Sequence, residues 1–196
     1  METEIEAKWL NINIDDLRKK LKGINAKLIH PERFMIRSVF DYPDSSLEKI
    51  GGWVRVRDEG DKITMSYKQL NDRTLHGTKE VSVVVDNFNL TCNFLESIGL
   101  VCRAIQETKR ESWIFGNVEI ELDTWPWIPS FIEIEAPNEQ KLKDAALKLG
   151  LDYTKALHGS VETAYQAVYN VTEEEVDNWS EIRFTEVPDW LEAKKK

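Results

Sequence analysis

Successive stretches of this chain alternate charged with apolar residues, and the charges are sorted by sign from one stretch to the next. In an extended strand, residues two apart share a face. Glu2, Glu4, Glu6 and Lys8 then stand on one face, and Ile5, Ala7 and Trp9 on the other. Arg55 and Arg57 oppose Val54 and Val56, and Thr64, Ser66 and Lys68 oppose Ile63, Met65 and Tyr67. Glu80 and Ser82 oppose Val81 and Val83, while Thr108 and Arg110 share a face. Glu119, Glu121 and Asp123 oppose Val118, Ile120 and Leu122, and Glu133 with Glu135 opposes Ile132, Ile134 and Ala136. One such strand is what any half-exposed sheet displays. The repetition is different, because surface strands mix signs to keep like charges from facing each other. Here some strands are wholly acidic and others wholly basic.

The segments between these strands carry turn and helix signals. Asn13 or Asp15 can cap a helix through Leu21, closed by Gly23. Asn87 precedes Phe88, Cys92, Leu95 and Ile98 at helical spacing, with Gly99 as the stop. Further helices are expected over 137–149, ended by Gly150, and over 161–169, and Thr172 with Glu175 forms a capping box. Pro31 interrupts an extended stretch over 27–40, and Glu59-Gly60-Asp61 reads as a hairpin turn. The order predicts an α+β fold: a closed, eight-stranded antiparallel β-barrel with helices packed outside. If helices cover the apolar faces, the sorted charges point into a lumen.

Such a lumen, acidic on one side and basic on the other, suits a polyanion bound together with a divalent cation. Mg²⁺ and Mn²⁺ favour carboxylate oxygens and bridge phosphates. Arginine forks hold phosphate oxygens bidentately, and lysine supplies a point charge. The net charge of −9 argues against a general nucleic-acid or anionic-membrane surface. No apolar run reaches the roughly 18 residues of a spanning helix, and the start, with Glu2 and Glu4, lacks signal-peptide character. Cytoplasmic residence, with Cys92 and Cys102 as reduced core thiols, is the expectation. His30, His76 and His158 are scattered and form no constellation, and Ser160 lacks the flanks of a nucleophile elbow.

Glu4-Ile5-Glu6-Ala7-Lys8 is an ExExK strand, and the later strands follow it in a definite order. Phe40-Asp41-Tyr42-Pro43 leads into Trp53-Val54-Arg55-Val56-Arg57; Lys68 and Lys79-Glu80 come next. Thr108-Lys109-Arg110-Glu111-Ser112-Trp113 precedes Glu121-Leu122-Asp123 and Phe131-Ile132-Glu133-Ile134-Glu135. This ordered set resembles the CYTH superfamily of triphosphate tunnel metalloenzymes, which includes class IV adenylate cyclases, thiamine triphosphatases and inorganic triphosphatases. The resemblance spans about 2–169 and implies a domain over 1–170 with a C-terminal extension over 171–196. Ala7 stands where inorganic triphosphatases often carry Arg, and Thr108 stands at the first position of the K-x-R pair of many members, with Lys109 directed outward.

The resemblance implies Glu4, Glu6, Asp123, Glu133 and Glu135 as ligands of Mg²⁺ or Mn²⁺. It implies Lys8, Arg55, Arg57, Lys68 and Arg110 as the catalytic clamp on the triphosphate, with Glu80 and Glu121 as supporting acids. Arg37 and Lys155 are further phosphate contacts to consider. The expected activity is hydrolysis of an inorganic or organic triphosphate (tripolyphosphate, thiamine triphosphate or ATP). The alternatives are cyclisation of ATP to cyclic AMP and pyrophosphate, and a non-catalytic polyphosphate or nucleotide-binding module. Trp125, Trp127 and Phe131 are the aromatic residues available either to stack a base or to pack the tunnel mouth. A monomer and a homodimer are equally compatible with the sequence.

Overall fold

The computed structural model describes residues 1–196, apart from the side chain of Glu2. The strands are β1 (Glu2–Thr3), β2 (Glu6–Trp9), β3 (Lys27–Asp41), β4 (Gly52–Asp58), β5 (Ile63–Leu70), β6 (Thr78–Val85), β7 (Val101–Phe115), β8 (Val118–Thr124), β9 (Phe131–Glu135) and β10 (Glu181–Ile182). The helices are α1 (Ile14–Gly23), α2 (Phe88–Ser97), α3 (Glu139–Leu149), α4 (Glu162–Val168), α5 (Glu173–Asp177) and α6 (Asp189–Glu192). Hydrogen bonding runs β1-β6-β5-β4-β3-β7-β8-β9-β2 with every neighbour antiparallel, and β10 joins β7 in parallel. The fold is therefore α+β, built on a strongly curled antiparallel sheet.

Two expectations change here. The single strand over 2–10 is broken at Glu4 and Ile5, because its two halves serve opposite ends of the sheet. The Glu4 N–H donates to Thr78 O at 3.0 Å on the β6 side, and Ala136 N–H donates to Ile5 O at 3.0 Å on the β9 side. The eight longer strands, β2 to β9, are present. The sheet they form is curled rather than evenly closed, because β1 pairs only with Lys79 and Glu80 of β6. Pro31 lies within β3, where the pairing with β7 shifts register between Leu28 and Arg33, so the expected interruption is a bulge.

Asparagine side chains start the three longest helices. Asn13 accepts from Asp16 N–H, Asn87 from Leu90 N–H and Asn138 from Lys141 N–H, so Asn13 rather than Asp15 caps α1. Helices α1 and α3 lay Leu17, Leu21, Leu142 and Leu149 on Ala7, Ile120, Ile132 and Ile134 of the sheet. Helix α2 places Leu95 against Phe40 and Val56. The outer face of β6 is left bare, with Val81 and Val83 each 49% exposed, so the helices do not cover every apolar face. Cys92 is half-buried and Cys102 exposed; both are free thiols outside the buried core.

Ile134 on β9 has no exposed surface and lies between the α1–α3 layer and the site described below. Its replacement by Ala is expected to destabilise the chain by about 2–5 kcal/mol through lost burial and a residual cavity. Urea denaturation checks this: the midpoint should fall while the slope stays unchanged.

Candidate active site

Because helices pack on the outer side of β2, β8 and β9, the charged residues of the strands face inward, around a cavity of about 590 Å³. Glu4, Glu6, Lys8, Arg55, Arg57, Lys68, Glu80, Arg110, Glu121, Asp123, Glu133 and Glu135 all line it. Every residue singled out as catalytic, phosphate-binding, metal-binding or supporting is thus brought to one space. Of the two additional bases, Arg37 lines the cavity as well, whereas Lys155 is exposed on a short 3₁₀ turn away from it.

The bases are already engaged by carboxylates. Lys8 is only 3% exposed, with Nζ 3.1 Å from Glu6 Oε1 and 3.0 Å from Glu133 Oε2, and it donates to Gly159 O at 2.6 Å. Burial works against its charge, but Glu133 and Glu6 together hold its pKa above that of an ordinary lysine. Lys68 Nζ lies 2.9 Å from Glu4 Oε2 and 2.9 Å from Glu80 Oε2. Arg110 donates through Nε and Nη2 to the two oxygens of Asp123, each at 2.6 Å, and Nη2 also reaches Glu133 at 3.3 Å. Arg55 Nη2 is 3.4 Å from Glu80, while its buried Nε has no acceptor; burial and the neighbouring Arg57 lower its pKa to about 10. Arg57 is held by Glu59 at 2.7 Å.

The acids are crowded by register. Glu135 pairs with Glu6 on one side and with Glu119 on the other, and Glu133 sits between Lys8 and Glu121. Like charges directly opposite one another oppose folding. Burial, then repulsion from Glu6 and Glu119, pushes the Glu135 carboxyl up to about 7. Burial also raises Glu121 to about 7 despite the nearby Arg110, and its Oε2 is buried with no hydrogen-bond partner. Glu4 is raised by burial and by its hydrogen bond with Glu80. Against the effect of burial, that same bond together with Lys68 and Arg55 holds Glu80 low. Glu133 is held low by Lys8 and Arg110, again against burial.

Carboxylates raised by burial and by mutual repulsion, one with an orphaned buried oxygen, have the donor chemistry a hard divalent cation requires. Among the described residues, no three His, Cys, Asp or Glu side chains converge into a ready-made ligand cluster. Among the candidate ligands, Asp123 has both oxygens on Arg110, and Glu133 has one on Lys8 and one on Arg110.

The structure adds residues that the sequence reading passed over. Glu59, expected in a hairpin turn, is 4% exposed and accepts from Arg57 and Thr64, with Arg33 Nη2 at 3.5 Å. Arg33 and Gln106 also line the cavity. Each stands an even four residues from Arg37 or Arg110, on β3 and β7, and that same-face spacing carried a signal for them. Glu162, Glu173 and Asp177 join the wall from the C-terminal third, with no local signal. Trp125 and Phe131 are buried and line the cavity, with the Arg37 guanidinium over the Trp125 ring. Lys109 lies outside, its Nζ 5.1 Å from the ring of Phe184, as its alternation predicts. His158 Nδ1 lies 3.2 Å from Glu6 O.

The CYTH domain model matches residues 2–166. No curated protein matches the chain. Solved structures similar to it include a candidate adenylate cyclase of Vibrio parahaemolyticus, with a TM-score of 0.73 and 16% identity, covering 84% of this chain and 98% of that one. A protein of Pyrococcus horikoshii OT3 aligns with a TM-score of 0.66 and 22% identity over 78% of this chain and 93% of its own. A candidate adenylyl cyclase of Hippeastrum, described as having a dominant triphosphatase activity, aligns with a TM-score of 0.59 and 14% identity over 93% and 98%. Among the described residues, no helix is long and apolar enough to cross a membrane.

Proposed function

Because this chain belongs to the CYTH domain family, we propose that it is a Mg²⁺- or Mn²⁺-dependent hydrolase acting on the triphosphate group of an inorganic or organic triphosphate. The observation that carries the reading is the shared cavity, in which five sequence-predicted bases face a set of carboxylates that repel one another. Anion binding alone calls for bases. Buried acids with raised pKa values are costly, and a bound cation would offset that cost.

We read the curled sheet as a working tunnel, with Glu4 and Ile5 as the seam where β1 and β2 join its two ends. In it, Lys8, Arg55, Arg57, Lys68 and Arg110 take phosphate oxygens, exchanging their present carboxylate partners for the ligand. Glu4, Glu6, Glu133 and Glu135 hold the cation, Glu80 and Glu121 support the bases beside them, and Asp123 becomes available as Arg110 turns to phosphate. The cation, when bound, neutralises charge developing on the phosphate oxygens. Water adds to the terminal phosphorus, the bond to the bridging oxygen breaks, and phosphate and a shortened phosphate chain leave. The fold domain ends near 170 in this reading, with 171–196 as an extension.

Hydrolysis is preferred to cyclisation because it needs only a water and the grip on the triphosphate, whereas cyclisation also needs a purine pocket. The activity described for the Hippeastrum protein points the same way. Incubation with tripolyphosphate, thiamine triphosphate or ATP plus Mg²⁺ or Mn²⁺ should release phosphate, and chelation should abolish the release. Cyclic AMP with pyrophosphate from ATP would replace this reading with cyclisation, and tight binding without any product would replace it with a binding module.

A further inference from the structure

Arg37 differs from the other bases of the cavity. Its Nε donates to Gln106 Oε1 at 2.8 Å, and its guanidinium carbon lies 4.1 Å from the centroid of the Trp125 ring. Among the described residues, no carboxylate lies within ion-pair distance of it; burial and the charges of Arg55, Arg57 and Arg110 work against its own charge, and Asp123 opposes them more weakly. A largely buried cation with no ion-paired counter-charge is held by what packs around it.

Both supports of Arg37 are fixed by the C-terminal segment. The ring of Trp125 meets Tyr165 edge-on at 6.3 Å, and Tyr165 meets Trp179 edge-on at 5.1 Å. Trp179 is itself clamped by Trp127 at 6.1 Å and Trp190 at 5.2 Å. The second route runs through the sheet: β10 pairs with β7 so that Ile182 stands opposite Gln106, and Ile105 N–H donates to Ser180 O at 2.9 Å. Ile182, Val176 and Leu191 are buried in the same cluster as Trp125 and Tyr165. Two separate contacts of one segment thus bear on both side-chain partners that Arg37 has among the described residues. That segment lies beyond the residues matched by the family model.

We infer that the segment over 171–196 is a positioning element for triphosphate binding, in which Trp179, through Tyr165 and Trp125, holds the Arg37 guanidinium toward the cavity. The inference rests on reading the cavity as a triphosphate site. An exposed cationic side chain of this length loses much rotamer freedom on binding. Holding it beforehand against Trp125 and Gln106 removes that loss, so the effect should appear in affinity and KM and leave kcat nearly unchanged.

The test is a cycle of Trp179→Ala and Arg37→Ala, read by calorimetric titration with tripolyphosphate and by steady-state kinetics, with melting curves as a fold control. Trp179→Ala should weaken tripolyphosphate binding and raise KM by about tenfold, the size expected for loss of a cation's ordering. Trp179→Phe, which keeps an edge-on ring, should restore both. In the Arg37→Ala background, Trp179→Ala should change neither further, because coupled residues are not additive. If Trp179→Ala does not fold, Trp179→Leu takes its place with the same expectation. Equal binding by the parent and a folded Trp179 variant would overturn the inference, as would equal losses in both backgrounds. If the parent itself binds no tripolyphosphate, the reading of the cavity falls first, and this inference falls with it.

Discussion

A Glu135→Gln variant is expected to melt slightly higher than the parent at pH 8 in the absence of metal, and to lose roughly a hundredfold or more of its metal-dependent triphosphate hydrolysis. The two effects have one cause. Glu135 sits across the sheet from both Glu6 and Glu119, and burial followed by their repulsion moves its carboxyl from near 4.5 to about 7. At pH 4 the group is largely protonated in both the folded and the unfolded chain, so the folded state carries almost no penalty. As the pH rises above 4.5, the unfolded chain releases the proton first, and the penalty on folding grows until it is complete above pH 7. Glutamine removes that penalty while keeping the shape. After allowance for solvent screening, the gain is on the order of 1 kcal/mol, or about 2–4 °C for a chain of this length. Melting curves at pH 4 and pH 8 should show a gain only at the higher pH. The same charge is the one proposed to hold the cation, so activity falls as stability rises. A variant that melts lower at pH 8, or that keeps full metal-dependent activity, would remove Glu135 from the proposed site.

Arg110→Ala should fail in the opposite sense, losing stability and binding together. Asp123 is 1% exposed, and Arg110 meets both of its oxygens at 2.6 Å. Truncation leaves a buried carboxylate without a partner, which costs about 3–5 kcal/mol and lowers the melting temperature by more than about 6 °C. Glu133 also loses a partner, though Lys8 remains 3.0 Å away. The double variant Arg110→Ala/Asp123→Asn should recover most of the loss. Arg110→Lys should rescue little, because a single ammonium cannot replace two parallel guanidinium bonds. Tripolyphosphate affinity should stay low in all three variants. A melting temperature for Arg110→Ala equal to that of the parent would show that Asp123 finds water or another base.

These two residues also show how much of the site was written in the sequence. The spacing of Glu133 and Glu135, and of Arg55 and Arg57, requires each pair to share a face. Sorting by sign then requires that face to be enclosed, since an exposed acidic ladder has no reason to persist. The helix caps at Asn87 and Asn138 were equally local, because a cap is satisfied by a backbone N–H three residues on. What failed was whatever depended on distant partners. Glu59 does lie in the hairpin turn between β4 and β5, but nothing in its turn signal announces that Arg57, Thr64 and Arg33 converge on its carboxylate. The break at Glu4 and Ile5 was invisible because the run from Glu2 to Trp9 alternates without fault; only the positions of β6 and β9 divide it.

The sequence by itself determined the inward face of the alternating acidic and basic strands, because strand periodicity and charge sorting are properties of neighbours along the chain. Only the tertiary structure decided which acid meets which base, how the two ends of the sheet come together, and that 171–196 fixes both contacts of Arg37. Those pairings follow from register and from packing between segments far apart in the chain. A one-residue change of register would reassign all of them without altering a single local pattern.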